Sequence, residues 1–364
     1  MRLEHLFVQD YRNLIQADLD FSPKLNCFVG HNGMGKTNLL DAIYYLSFCR
    51  SSINASDMQT VRHGAEFFQI QGTYAMPSGD LSVIGCLYRP QGRKQFRRDR
   101  KEYSRFSDHI GYVPIVMLSP QDSGLILGGS DERRRFMDMV ISQYDSEYLK
   151  NLIAYNKALA QRNVLLKSER ELDPELFLMW ERIMVEKGER IYQRRVELVE
   201  RLVPLFNKIY SGIGAEHEEV SLSYSSHVAQ GNFEEQLVCS RAKERIVGYT
   251  LRGIHKDELE MDLNGYQIRR EGSQGQNKSY LTALKLAQYL LMSEACNRRP
   301  ILLLDDIFDK LDAGRVERIL SMVAGDERFG QVFITDVDRH HIDGILEGLG
   351  VDHKIFTVEN GNVL

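Results

Sequence analysis

The run Gly30-His31-Asn32-Gly33-Met34-Gly35-Lys36-Thr37 constrains this chain more than any other feature. It is a complete G-x-x-x-x-G-K-[ST] phosphate loop, a pattern that carries meaning only between a strand and a helix. The flanks supply both. Residues 25–29 are a short apolar run suited to a buried strand, and residues 38–46 carry apolar side chains at helical spacing. Gly30, Gly33 and Gly35 let backbone N–H groups wrap phosphate oxygens. Lys36 can reach the β- and γ-phosphates, and Thr37 can offer a hydroxyl to Mg²⁺. His31, Asn32, Met34 and Asn38 share the loop and the helix start, where the helix adds its own partial positive charge.

The natural partner of this loop lies near the other end of the chain. Ile301-Leu-Leu-Leu304 is followed by Asp305-Asp306. An apolar strand ending in two carboxylates is weak evidence alone; beside a phosphate loop it is specific. Asp305 is expected to hold Mg²⁺, and Asp306 to orient or activate an attacking water. One nucleotide-binding domain is therefore expected from both ends of the chain, with something inserted between.

A second cradle follows the same logic. Ser273-Gln274-Gly275-Gln276 precedes a helical pattern over 280–292. Simple capping by Ser273 explains such a segment. A second anion site also explains it. Since the chain already has one phosphate loop, the economical arrangement is a head-to-tail sandwich, with Ser273 of one copy closing on the nucleotide of another.

Between these landmarks the pattern changes twice. Strands are expected at 67–72 and 81–85, among turns. From 134 to 167 the apolar spacing is helical, and Asp173-Pro174 opens a second long pattern over 175–210, in which Pro204 should kink or interrupt the last part. Two long helices joined by a short turn suggest an antiparallel arm. Near Gly248 strand character returns, with 300–304 and 331–335 as buried strands. The expected organisation is residues 1–117 as the N-terminal part of the head, 118–247 as helical arm and second lobe, and 248–364 as the C-terminal part of the head.

Composition bounds the partners. The net charge is −5, so any nucleic-acid contact must come from a local patch. Arg93, Lys94, Arg97, Arg98, Arg100 and Lys101, interleaved with Phe96 and Tyr103, form one candidate for salt-sensitive DNA binding; a solvated basic hairpin explains them equally. For Arg133-Arg134-Arg135, a solvated helix terminus or an arginine paired to an acidic neighbour is the better reading. The five cysteines lack C-x-x-C spacing, no secretory segment opens the chain, and no apolar run is long enough to span a bilayer. These features suit a cytoplasmic protein.

Taken together, the motifs resemble the RecF family of DNA-repair ATPases, within the SMC/ABC-type group. The resemblance rests on Asp10-Tyr-Arg12-Asn13, the phosphate loop with Asn38-Leu-Leu-Asp-Ala, and Leu118-Ser-Pro-Gln121-Asp. It continues through Glu132-Arg-Arg-Arg-Phe-Met-Asp138, Asn156-Lys-Ala-Leu-Ala-Gln-Arg-Asn163 and Arg252-Gly-Ile-His255-Lys-Asp257, to Ser273-Gln-Gly-Gln276, Leu303-Leu-Asp-Asp306 and Leu311-Asp312. It implies an α/β ABC-type head in two lobes with a mixed sheet and an inserted helical arm. It implies ATP with Mg²⁺, ATP-dependent homodimerisation, weak DNA-stimulated hydrolysis used as a switch, and binding to duplex DNA or single-strand/double-strand junctions. RecR and RecO are the implied partners in loading RecA. Arg12, Gln121 and Asp312 join the nucleotide site on this basis, Gln121 also near the metal. Three departures stand out: Ile254 replaces an expected proline, Asp306 stands where wider ABC ATPases carry glutamate, and Thr335 occupies the switch-histidine position, with His340 and His341 too late to serve. A small-molecule kinase and a transporter's nucleotide-binding subunit are the competing classes.

Overall fold

The computed structural model describes residues 1–54, 56–168, 174–214, 218–307, 312–337 and 350–364. In chain order the strands are β1 (Arg2–Tyr11), β2 (Leu14–Asp20), β3 (Leu25–Val29), β4 (Phe68–Ala75), β5 (Leu81–Tyr88), β6 (Gln95–Arg98), β7 (Lys101–Glu102), β8 (Ile115–Leu118), β9 (Val220–Ser225), β10 (Glu258–Leu263), β11 (Tyr266–Gln267), β12 (Ile301–Leu304), β13 (Val332–Asp336), β14 (His353–Glu359) and β15 (Asn362–Val363). The helices are α1 (Lys36–Phe48), α2 (Ser123–Leu127), α3 (Ser130–Ser142), α4 (Ser146–Lys167), α5 (Pro174–Gly212), α6 (Phe233–Val247), α7 (Ile268–Glu271), α8 (Gln274–Ala295) and α9 (Ala313–Gly325). Two compact units result. Unit 1 comprises Met1–Ser123, Lys208–Glu216 and Gln274–Leu364; unit 2 comprises Gly124–Asn207 and His217–Ser273.

Unit 1 holds two sheets. One has the order β15-β14-β3-β13-β12-β8, and β14, β3, β13, β12 and β8 run parallel. Its central strands β3, β12 and β13 are buried at every position, which is why they read as unbroken apolar runs rather than alternations. The pairing of β3 with β13 and β14 joins the two ends of the chain in one sheet. The other sheet, β2-β1-β4-β5-β6-β7, is antiparallel, and β4 alternates buried with half-buried residues because only one face meets the core. The buried amide of Gln331 stitches the sheets together: it accepts from Leu3 N at 2.7 Å and donates to Leu3 O and Ser22 O at 2.8 and 2.9 Å. Helix α8 is buried from Ser279 to Met292.

Unit 2 contains α4 and the main length of α5, running antiparallel. Glu147 meets Arg190, Asp145 meets Arg194, and Arg162 meets Glu181. The expected single helix over 134–167 is two, α3 and α4. Asp145 breaks the run because its carboxylate accepts from Glu147 N and Tyr148 N, capping α4. Helix α5 runs unbroken through Pro204, so the expected interruption does not occur. Asp173 lies outside the described residues. The inserted region is also not purely helical. A three-stranded antiparallel sheet, β11-β10-β9, begins at Val220, well before the expected return of strand character near Gly248. Among the described residues no helix is long and apolar enough to cross a membrane.

Candidate functional site

The loop between β3 and α1 is shaped by what presses on it. A Cβ at Gly30 would lie 2.3 Å from the carbonyl oxygen of Val358, so no side chain fits. Gly35 has φ +120° and lies against Asn13. Two turns buttress the loop from outside. Asn13, between β1 and β2, donates from Nδ2 to Gly33 O at 3.0 Å and accepts from Asn38 Nδ2 at 2.5 Å. Gly361, between β14 and β15, donates from its N–H to Met34 O at 3.1 Å.

Lys36 is folded onto the loop itself. Its Nζ donates to Gly30 O at 2.5 Å and His31 O at 3.0 Å. Burial pushes its pKa down, while Asp306, Asp305 and Asp336 pull it back. These two carbonyl bonds are neutral partners that an anion can replace. His31, Asn32 and Gly33 are exposed at the loop's crest.

At the sheet end beside it, β12 delivers Asp305. Its Oδ1 accepts from Thr37 Oγ1 at 2.9 Å and from Thr335 Oγ1 at 2.8 Å. Thr335 in turn accepts from Asp306 N at 2.9 Å. Burial raises the Asp305 pKa, opposed by the two hydroxyl bonds. Thr37 and Asp305 thus bring hard oxygens to one point, the donor chemistry that Mg²⁺ takes. Among the described residues no group of three or more His, Cys, Asp or Glu could hold a metal. The remaining ligands would come from phosphate and water, as is usual for Mg²⁺. Thr335 is buried and bonded on both sides, which makes it a link between the Asp305 carboxylate and the Asp306 backbone amide. Asp306 has φ +49°, and its carbonyl accepts from Lys278 Nζ at 3.1 Å.

The other expected site residues distribute as follows. Gln121 is exposed in the turn after β8, the strand paired with β12. Ser273 is exposed immediately before α8, whose first turn contains Gln274, Gly275 and Gln276. Asp312 is exposed and caps α9, accepting from Arg315 N at 2.9 Å. Leu311, His340 and His341 lie outside the described residues.

Arg12 has φ +58° and reaches Asp41 at 3.8 Å, while its buried Nη1 has no hydrogen-bond partner among the described residues. Asp41 is the residue that sequence reasoning left without a role. It is fully buried on α1 and accepts from Tyr11 Oη (2.7 Å), Ser51 Oγ (2.7 Å), Ser52 N (2.6 Å) and Ser52 Oγ (2.7 Å). The available signal was an aspartate among apolar residues directly after the phosphate loop.

The basic hairpin divides. Arg93, Arg97, Arg100 and Lys101 are exposed, and Asp99-Arg100 forms the turn between β6 and β7 with positive φ at both residues. Lys94 is turned inward and does not share that exposure. It donates to Cys49 O and, at 2.9 Å, to Asp57, over the rings of Tyr45 and Phe106. Arg98 lies over Tyr112, 4.4 Å from the ring centroid. In unit 2, Arg133 forms a two-pronged pair with Glu258 and Arg135 pairs with Glu132, as the sequence suggested.

The family described as RecF/RecN/SMC N terminal domain matches residues 2–360. The DNA replication and repair protein RecF of Bacteroides thetaiotaomicron is 56% identical over 361 residues, covering 99% of this chain and 98% of that protein. That of Phocaeicola vulgatus is 55% identical over 364 residues, covering 100% and 98%. Among solved structures, the recombination mediator protein RecF with ATP, in the RecFOR pathway, superposes with a TM-score of 0.89 at 28% identity, covering 100% of this chain and 96% of that one. The Smc head domain of Pyrococcus furiosus, bound to the C-terminal domain of ScpA, gives 0.61 at 17% identity over 99% and 94%, a likeness of fold alone. The fold is that of an ABC-type ATPase head.

Proposed function

The chain belongs to the RecF family of the RecF/RecN/SMC group, and from that premise we propose that it is an ATP-binding DNA replication and repair protein that works as an ATP-gated DNA clamp. The observation that carries this reading is the Lys36, Thr37 and Asp305 arrangement. Lys36 exchanges two loop carbonyls for phosphate oxygens. Thr37 and Asp305 hold Mg²⁺, whose charge offsets that of the phosphates when bound. Asp306 orients water, and Thr335 ties the Asp305 carboxylate to the Asp306 backbone. Aspartate is shorter than glutamate at that position, which fits slow turnover. Family membership removes the kinase and transporter readings.

The Ser273–Gln276 segment completes the nucleotide site of a second copy, so ATP joins two chains and hydrolysis parts them. DNA stimulates that hydrolysis, and RecR and RecO act with the ATP-bound dimer in RecA loading. The exposed arginines of the hairpin contact DNA phosphates. Ser273→Arg is the test. It should bind ATP normally while sedimenting as a monomer with ATP and losing turnover. A normal ATP-dependent dimer would exclude the sandwich.

A further inference from the structure

Three sequence runs that the nucleotide site does not use, 132–138, 156–163 and 252–257, meet in unit 2 around one loop, residues 249–256. Arg162 is fully buried and clamps the loop's start. It donates to Thr250 Oγ1 at 2.9 Å and pairs with Glu244 at 2.7 Å and Glu181 at 2.9 Å. Asn163 accepts from Thr250 N, and Glu244 accepts from Leu251 N. Arg195, also buried, clamps the end, donating to Ile254 O at 2.9 Å and Asp257 at 2.6 Å while pairing with Asp138 at 2.8 Å. Arg134 donates to Asp257 O. In the middle, His255 Nε2 donates to Thr250 O, and its Nδ1 accepts from Tyr155 Oη at 2.9 Å. A Cβ at Gly253, where φ is +127°, would meet that hydroxyl at 2.4 Å.

Buried ion pairs of this kind are poor sources of stability but hold a geometry once formed. Here they hold a short surface loop. Among the described residues the loop's two exposed cations, Arg252 and Lys256, have no carboxylate partner. Arg252 donates to Gln230 Oε1 at 3.4 Å, and Lys256 lies 5.2 Å from the Tyr249 ring centroid. The nearby acids are engaged elsewhere: Glu244 by Arg162, Asp257 by Arg195 and Glu258 by Arg133. Tyr249 is 46% exposed, beside Ile246 at 86% and Val247 at 41%. Cations next to exposed flat and apolar side chains suit a strand whose bases are unstacked, with phosphates on the cations and a base on the ring. Duplex DNA offers no base face to such a ring.

We propose that this clamped loop is a contact for single-stranded nucleic acid, with Arg252 and Lys256 taking phosphates and Tyr249 stacking on a base. The proposal rests on the DNA-binding reading above and gives it a second, strand-selective site. The test is fluorescence anisotropy of the full chain with labelled oligothymidylate, blunt duplex and polyglutamate, with fluorescent ATP-analogue binding as the fold control. Arg252→Glu with Lys256→Glu should weaken oligothymidylate binding about 100-fold at low salt and lower its salt slope by about 1.4. Tyr249→Ala should cost about 10-fold on oligothymidylate and leave duplex binding unchanged. Unchanged oligothymidylate binding in all variants overturns the proposal. So does an equal loss on both nucleic acids in Tyr249→Ala, or a loss confined to polyglutamate, which would assign the loop to an acidic protein segment. A wild-type chain that binds neither nucleic acid breaks the DNA-binding reading itself.

Discussion

The nucleotide site of unit 1 and the clamped loop of unit 2 bury charge in different ways. In unit 1, Asp305 is met by the hydroxyls of Thr37 and Thr335, and Asp41 by Tyr11, Ser51 and Ser52 with Arg12 farther off at 3.8 Å. In unit 2, Glu181, Glu244, Asp138 and Asp257 are met by the guanidinium groups of Arg162 and Arg195. Neutral donors leave a carboxylate with charge still to share, and Lys36 rests on carbonyls it can leave. In the ion pairs each carboxylate is already met by a full positive charge. The first arrangement admits a charged ligand; the second holds a shape.

That contrast can be broken by measurement. Lys36→Ala should lower ATP turnover by more than about 100-fold, since it removes a preorganised cation from the transferring phosphate. Its unfolding midpoint in urea should stay close to wild type, because the bonds Lys36 makes are to two neutral loop carbonyls. Retained turnover would mean that the open arrangement is not the nucleotide site. Arg195→Ala should do the reverse. It strands Asp257 and Asp138, and should cost about 3–5 kcal/mol of unfolding free energy in the same titration. A loss below about 1 kcal/mol would remove the distinction between scaffold and site.

Acid sharpens the comparison further. Burial lowers the pKa of His255 in unit 2, and of His109 in unit 1, from the ordinary 6.5 to about 4. Below pH 6.5 the unfolded chain therefore takes up protons that the folded chain does not, so stability falls as pH drops from 6.5 towards about 4. At pH 5 each imidazole should account for roughly 2 kcal/mol. Asp305 acts with the opposite sign. Burial raises its folded pKa, so the folded chain holds its proton more tightly, and that contribution is lost as pH rises through the raised value. Replacing His255 with Gln should flatten the acid limb of a urea-midpoint-against-pH curve. An unchanged slope would show that His255 does not carry it.

Much of the site was legible beforehand because local rules decide it. A phosphate loop must sit between strand and helix, and strands buried on both faces must read as apolar runs, so Gly30 to Thr37, β3, β12 and β13 follow from residue order. Asp145 could have been read as a cap from the Asp-Ser start of α4. Sheet β11-β10-β9 was missed because β9 is a short alternation, Val220, Leu222 and Tyr224, between polar residues. Lys94 was grouped with its basic neighbours because a charge run does not say which side of a hairpin each cation takes. Asn13 and Asp41 lacked roles because their partners arrive from turns and loops that only the folded chain brings together.

The sequence by itself determined that a phosphate loop and a paired acid exist, that they sit at strand ends, and that long helices intervene. Each of these depends on neighbours within a few residues. The tertiary structure alone decided that Lys36 rests on Gly30 and His31 carbonyls, that Thr335 couples Asp305 to Asp306, and that three unrelated runs close around residues 249–256. Those outcomes depend on partners distant in the chain, and burial sets which charges are neutralised and which are left to meet a ligand.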